Sequence, residues 1–245
     1  MSAFPSTSTG TGSSSAVQPS EPRRDAWLSD VLGFDAYGVT TASASAAPAK
    51  GRALYTCRVP AEDVEAVEGL ADAGFRIVDV NVTLEREGDG GLSGTSVAPA
   101  AAHQCEALLD IAGSCFRYSR FHLDPHIPTE LAHRVKREWV RSYVEGRRGV
   151  ELLAATHEGE AAGFLAVLEA QDGARVIDLI GVAAAVQGRG IGESLVGAFA
   201  QRHGDGGRTL RVGTQVANVP SLRLYEKLGF RVVSATYVLH RHVGA

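Results

Sequence analysis

The run Val186-Gln187-Gly188-Arg189-Gly190-Ile191-Gly192 has the residue types and spacing of an anion-binding turn. Its three glycines let a backbone fold back tightly and put no side chain between the N–H groups and an incoming phosphate. An apolar stretch, Val176 to Val182, precedes the run, and an amphipathic stretch through Leu195, Val196 and Phe199 follows it. That order predicts a strand, a turn and a helix N-terminus, whose partial positive charge falls on the same spot. The spacing is not the dinucleotide-binding G-x-G-x-x-G, and no Gly-Lys-Ser/Thr follows to make a P-loop. Taken alone, the run also fits an ordinary strand-to-helix turn.

Other groups bear on the same place. Asp178 lies on the strand before the turn and shares strand parity with Val176, Ile180 and Val182, so it is expected on the face those residues share. Asn218 precedes Pro220 and reads as a helix N-cap. Tyr225 shares the following helix with Leu222 and Leu228, which also suits a ring that only fills core. Arg223 and Lys227 read as a solvated helix face. His122, His126 and His133 are loosely spaced without an H-E-x-x-H motif, so no metal site is expected. His240 and His242 alternate along the last strand, as lining of a pocket or as exposed groups.

The elements that must hold these residues follow from periodicity. Leu54 to Val59 reads as a strand, Ala61 to Ala73 as a helix closed by Gly74, and Phe75 to Leu84 as a strand. Cys105 to Ala112 is a short apolar helix. Thr129 to Glu145 is a longer one, with Leu131, Val135, Trp139, Val140 and Tyr143 on one face. Glu151 to Thr156, Ala162 to Leu168, Arg175 to Val182 and Thr209 to Val216 read as strands. Ile191 to His203 and Pro220 to Leu228 read as helices, and Phe230 to His240 as a last strand. An echo links the two ends: Gly74 to Leu84 aligns with Gly229 to Leu239, both opening Gly-Phe-Arg after a short helix. The first copy has no glycine turn, so only the second is expected to bind a cofactor.

Composition bounds the rest. The 245 residues suit more than one minimal domain, and residues 86–101, rich in Gly, Ser, Ala and Pro, mark the expected boundary. Residues 1–24 are expected to be a disordered tail, followed by regions 25–100 and 101–245. The tail lacks the basic and apolar regions of a secretory signal. A formal net charge of -4 gives no general attraction to nucleic acid or membrane. No apolar run approaches the roughly 20 residues of a membrane span. Cys57, Cys105 and Cys115 form no C-x-x-C pair, which suggests a reduced, cytoplasmic chain.

Gln187 to Gly192 matches Q/R-x-x-G-x-G/A. With the Asp178 strand and the segment Asn218-Val-Pro-Ser-Leu-Arg-Leu-Tyr225-Glu-Lys-Leu-Gly-Phe230, it resembles the cofactor core of the GNAT superfamily of N-acetyltransferases. Ala184 stands where that family often has proline. The resemblance implies an α/β fold (α+β mixed): a central mixed twisted sheet flanked by helices, with a smaller degenerate GNAT-like N-terminal half. It implies acetyl-CoA as cosubstrate and no metal. Cofactor contacts carry over to Ile180, Gly181, Val182, Gln187, Gly188, Arg189, Gly190, Ile191, Gly192, Glu193, Ser194, Asn218 and Arg223. The strand with Ile180 and Val182 would splay from that with Val212 to Gln215 to admit the pantetheine arm. Amide N–H groups near Val182 would face the thioester oxygen. Tyr225 would be the general acid for the leaving thiolate, and Asp178 or a water path would take the proton of the amine.

The regions Trp27 to Phe34, Ala61 to Arg86 and Ser119 to Pro128, with the helix carrying Trp139, resemble the dTDP-fucosamine acetyltransferases. This implies a small amine acceptor, a nucleotide-linked amino deoxysugar, with the Ser119–His126 stretch on the acceptor side. Arg120 would meet a diphosphate there, or form a surface ion pair. A homodimer is compatible with it. Acetylation of a peptide N-terminus and a non-catalytic acyl-CoA-binding module are the alternatives.

Overall fold

A computed structural model describes residues 21–44, 51–88 and 97–244. In chain order the strands are β1 (Arg23–Arg24), β2 (Asp35–Gly38), β3 (Ala53–Pro60), β4 (Arg76–Glu87), β5 (Val97–Pro99), β6 (Glu151–His157), β7 (Glu160–Glu169), β8 (Arg175–Val182), β9 (Thr209–Gln215) and β10 (Arg231–Val243). The helices are α1 (Ala26–Leu32), α2 (Val64–Asp72), α3 (Cys105–Ala112), α4 (Thr129–Val144), α5 (Ile191–His203) and α6 (Val219–Lys227). The chain divides into two units, Met1–Val78 with Thr236–Ala245, and Asp79–Ala235.

In the first unit β2 runs parallel to β3, and β3 pairs antiparallel with β10 from Pro60↔Thr236 to Ala53↔Val243. Tyr55, Cys57, Val59, Leu70, Phe75 and Leu239 form its core. Helix α2 starts where the Asp63 carboxylate accepts the Ala66 N–H, and it ends at Gly74 with φ 85°. The Arg241 guanidinium donates to the Ala73 carbonyl just before that glycine.

In the second unit the neighbours run β4, β9, β8, β7, β6, β5. All pairs are antiparallel except β8 with β9. This is a mixed sheet, as expected. Helices α3 and α4 bring Leu108, Leu109, Val140 and Tyr143 onto a core with Phe164, Ala166 and Leu179. Leu195, Val196 and Phe199 of α5, with Tyr225, Leu228 and Phe230, form a second core with Leu165, Ile177, Leu210 and Val212. Strand β7 serves both cores because its side chains alternate and its middle run, residues 162–167, is buried.

The composition marks a boundary at residues 86–101, and the division into two units is a separate feature. It comes inside β4, at Val78/Asp79, and the end of β10 belongs to the first unit. A strand that begins in one unit and ends in another carries no loop-like composition at the crossing. Of the glycine-rich stretch that marked the expected boundary, residues 89–96 lie outside the described residues, as do residues 1–20 of the expected tail. Among the described residues no helix is long and apolar enough to cross a membrane.

Candidate functional site

The glycine turn links β8 to α5 as the sequence predicts. Gly188 and Gly190 both have φ 79°, the left-handed region where a side chain is strained. Gly190 is the N-cap of α5, and its carbonyl accepts the Ser194 N–H at 3.0 Å. Among the described residues, the backbone N–H groups from Gly188 to Glu193 donate to no protein acceptor. Helix geometry alone would orphan only those of the first turn. The row is exposed at Gly188, Arg189 and Gly190 and ends on the positive pole of α5. It can accept an anion without rearrangement.

Beside the turn the sheet opens. Strands β8 and β9 pair only at Arg175↔Leu210, Val176↔Arg211 and Ile177↔Val212. Beyond Ile177, β8 keeps its pairing with β7 up to Val182↔Gly163, while β9 stays with β4 through Gln215↔Asn81. The separation expected between Ile180–Val182 and Val212–Gln215 is therefore present. Ala183 N–H donates to Ala162 of β7, so by alternation the Val182 N–H faces the open side. Ile180 and Val182 are half-buried against the core that contains Tyr225. The Cys115 thiol sits beside the Val182 backbone, and burial pushes it up to about 12. Gly181 is closely covered: a Cβ there would lie 2.6 Å from Phe164 and 2.8 Å from the Cys115 sulfur.

The remaining expected contacts have structural partners. The Gln187 amide donates to the Val182 carbonyl at 3.1 Å and ties the turn to the strand end. Arg189 reaches His157 at 3.2 Å, and Glu193 pairs with Lys227 at 2.6 Å. Gly192 packs against Leu224, 3.4 Å from where a Cβ would lie. Ile191 is buried in the α5 core, Ser194 is half-buried, and Arg223 is exposed on α6. Asn218 caps α6, accepting the Ser221 N–H, and its amide donates to Thr214 of β9. Tyr225 is 2% exposed, with its ring edge-on to Phe230. Burial raises its phenol well above the usual range, so it stays protonated at neutral pH.

Asp178 differs from expectation. Ala166 pairs with Leu179 and Val167 with Ile177, so Asp178 is the extra residue of a β-bulge. The bulge breaks the parity rule. Asp178 does not share a face with Ile180; it turns to α4. Its Oδ2 accepts from Trp139 Nε1 at 2.8 Å, Tyr143 OH at 2.7 Å and Arg148 Nε at 2.8 Å, and its Oδ1 accepts from Arg148 Nη2 at 3.1 Å. Burial first, and then the Asp178 charge, hold the Tyr143 phenol far above its ordinary value. For Arg148 the ion pair outweighs burial and raises its pKa. Nothing in the sequence pattern singled out Tyr143 or Arg148; each lies 30 or more residues from Asp178.

Two of the three histidines come together. His122 Nε2 lies 3.2 Å from His133 Nδ1, and His122 Nδ1 lies 2.7 Å from Ser119 Oγ. Burial first, then His133 and Lys136, push His122 down to about 4. His126 instead donates its backbone N–H to Asp124.

Comparisons with known proteins identify the family and the fold. The model of the acetyltransferase (GNAT) family matches residues 105–230. The chain is 32% identical over 149 residues to the spore coat polysaccharide biosynthesis protein SpsD of Bacillus subtilis, covering 59% of this chain and 50% of that one. The chain thus spans about half the length of SpsD. It is 26% identical over 186 residues to the dTDP-fucosamine acetyltransferase of Escherichia coli, covering 75% of this chain and 80% of the other. Among solved structures, a GCN5-related N-acetyltransferase from Sphaerobacter thermophilus superposes with TM-score 0.55 at 18% identity, covering 80% of this chain and 62% of that one. A tandem GNAT protein from the clavulanic acid pathway gives 0.54 at 14%, covering 80% and 65%. At these identities the structural likeness speaks for the fold alone.

Proposed function

The chain belongs to the acetyltransferase (GNAT) family, and on that premise we propose that it transfers an acetyl group from acetyl-CoA to the primary amine of a nucleotide-linked amino deoxysugar. One observation carries the cofactor reading. The gap between β8 and β9 opens next to an unbroken row of free N–H groups at a helix N-terminus. A long carrier with a pyrophosphate at one end and an amide-bearing arm at the other fits both features together. The pyrophosphate would lie on Gly188 to Glu193, with Arg189 able to leave His157 for it. The arm would pair with the exposed edge of β8 at Ile180 and Val182.

The transfer is direct. The amine nitrogen bonds to the thioester carbon, the carbon–sulfur bond breaks, and the sulfur leaves as thiolate. The Val182 N–H faces the side on which the carbonyl oxygen would gather charge. A phenol, at about 10, is a weaker acid than a thiol, at about 8.5, and burial raises Tyr225 further, so its proton moves to the thiolate uphill and water draws the step forward by restoring the phenol. The burial of Tyr225 keeps that proton in place between turnovers. Asp178 is poorly disposed to take the proton of the amine, because its carboxylate turns to α4 and accepts four hydrogen bonds there. A water path is the better exit.

The names of the two curated relatives, a polysaccharide biosynthesis protein and a dTDP-fucosamine acetyltransferase, support an amino sugar as acceptor. The test is coenzyme A release from acetyl-CoA with sugar nucleotides carrying a free amine, set against short peptides. Turnover with amino-sugar nucleotides alone supports the reading. Turnover with peptides alone replaces the acceptor, and acetyl-CoA binding without turnover on any amine makes the chain a binding module.

A further inference from the structure

We infer that Asp178 is a positioning residue: from the β8 bulge its carboxylate gathers Trp139, Tyr143 and Arg148, and so holds β8 away from β9 where the acyl carrier lies. The inference rests on the acetyltransferase reading, since it assigns a role within that site.

A bulge places one extra residue on one strand, bends that strand and sharpens its twist. Here the extra residue is Asp178, and pairing with β9 ends at the residue before it, Ile177. Ile177 packs into the α5 core and Leu179 into the α3–α4 core, and Ile180 packs on the α5 side again. Asp178 and Leu179 therefore lean to the same side, and the alternation resumes one residue out of step. The end of the ladder and the slip of the alternation coincide at Asp178.

A bulge needs something to hold it, because the extra residue has no ladder partner. The Asp178 side chain supplies that. Its two oxygens accept four hydrogen bonds from three side chains, two on α4 and one in the loop after it. Arg148 also lies over the Trp139 ring, 5.0 Å from its centroid. The site is 11% exposed at the Asp178 side chain, so these bonds are little screened. An asparagine would present an amide N–H₂ to donors that need an acceptor. A general base would need a lone pair free for the amine. The geometry gives Asp178 the first task, with three of its four hydrogen bonds on Oδ2 and a single lone pair left on Oδ1.

The test compares Asp178→Asn, Arg148→Met and Trp139→Phe in the full chain. Trp139→Phe removes one N–H and keeps a ring of similar shape; it carries the test if the others fold poorly by near-ultraviolet circular dichroism. Each variant should weaken acetyl-CoA binding in titration calorimetry, by roughly tenfold for Asp178→Asn and less for Trp139→Phe. The KM for acetyl-CoA should rise while the KM for the amine stays, and the acidic limb of the kcat profile should not move. Arg148→Met added to Asp178→Asn should cost little more than Asp178→Asn alone. Unchanged acetyl-CoA affinity in all three variants overturns the inference and leaves the acetyltransferase reading intact. So does an Asp178→Asn variant with normal affinity, lost kcat and a vanished acidic limb, which would make Asp178 the base. No binding by the wild type overturns both.

Discussion

The two copies of the helix–glycine–strand unit adopt one local structure and put different residues in it. Asp63 caps α2 and Asn218 caps α6, each accepting the N–H three residues on. Gly74 and Gly229 close the helices at φ 85° and 86°. Phe75 N–H returns to Leu70 and Phe230 N–H to Tyr225, the same bond in both places. Leu70 and Tyr225 thus occupy equivalent positions, and both are buried. Even the arginines correspond: Arg241 donates to Ala73 beside one glycine, and Arg86 to Leu228 beside the other. The scaffold asks only for a buried apolar body at this position. Function, on the proposed reading, asks in addition for a hydroxyl, and the second copy supplies it. That copy alone follows a glycine turn with free amides.

Substitutions made in each copy should act differently, and they are taken from the largest expected effect downward. Gly190→Glu puts a carboxylate and a strained side chain on the amide row, and should lower acetyl-CoA affinity more than about a hundredfold in calorimetry. Undiminished affinity would remove the turn from the site. Tyr225→Phe keeps the buried ring and loses the proton. It should lower kcat on the order of a hundredfold with acetyl-CoA affinity kept, as stopped-time assays of coenzyme A release would read. Its counterpart, Leu70→Ala, should instead cost about 2–5 kcal/mol of stability in thermal melts, and leave kcat per folded molecule alone. Equal effects of the two on kcat would erase the distinction between the copies.

The caps give a finer contrast. Asp63→Ala and Asn218→Ala should each cost about 1 kcal/mol in denaturant titration. Only Asn218→Ala should also weaken acetyl-CoA binding, if its amide has a second task; equal affinities would make Asn218 a cap alone. A further contrast concerns acid stability. The folded His122 pKa lies near 4, below its ordinary 6.5, so between these values the unfolded chain binds the extra proton. The stability that His122 contributes by staying neutral is full above pH 6.5 and is lost as the pH falls toward 4. His122→Gln should flatten the pH dependence of the melting temperature over that window, and an unchanged slope would contradict the shift.

What could be read from the sequence was local. The glycine turn, the Asn218 cap and the Gly229 stop each need only a few adjacent residues, and each lies where periodicity put it. Strand β8 and helices α3 and α5 keep the expected bounds. What could not be read was the bulge. Strand parity assumes two residues per repeat, and one extra residue turned Asp178 from the face of Ile180 toward α4. The partners Tyr143 and Arg148 reach it across the fold, and no spacing encodes that meeting. Short elements such as β2 and β5 offered too few residues for a period to show.

The traffic of β4 and β10 between the two units has a practical corollary. A gene fragment cut at residue 101, where the composition invites the cut, would begin downstream of Asn81 to Glu87 and leave Thr209 to Gln215 of β9 as a bare sheet border. Raw borders of that kind recruit other chains. Such a clone should precipitate on expression, while one that starts upstream of Arg76 and keeps the C-terminal strand should stay in solution.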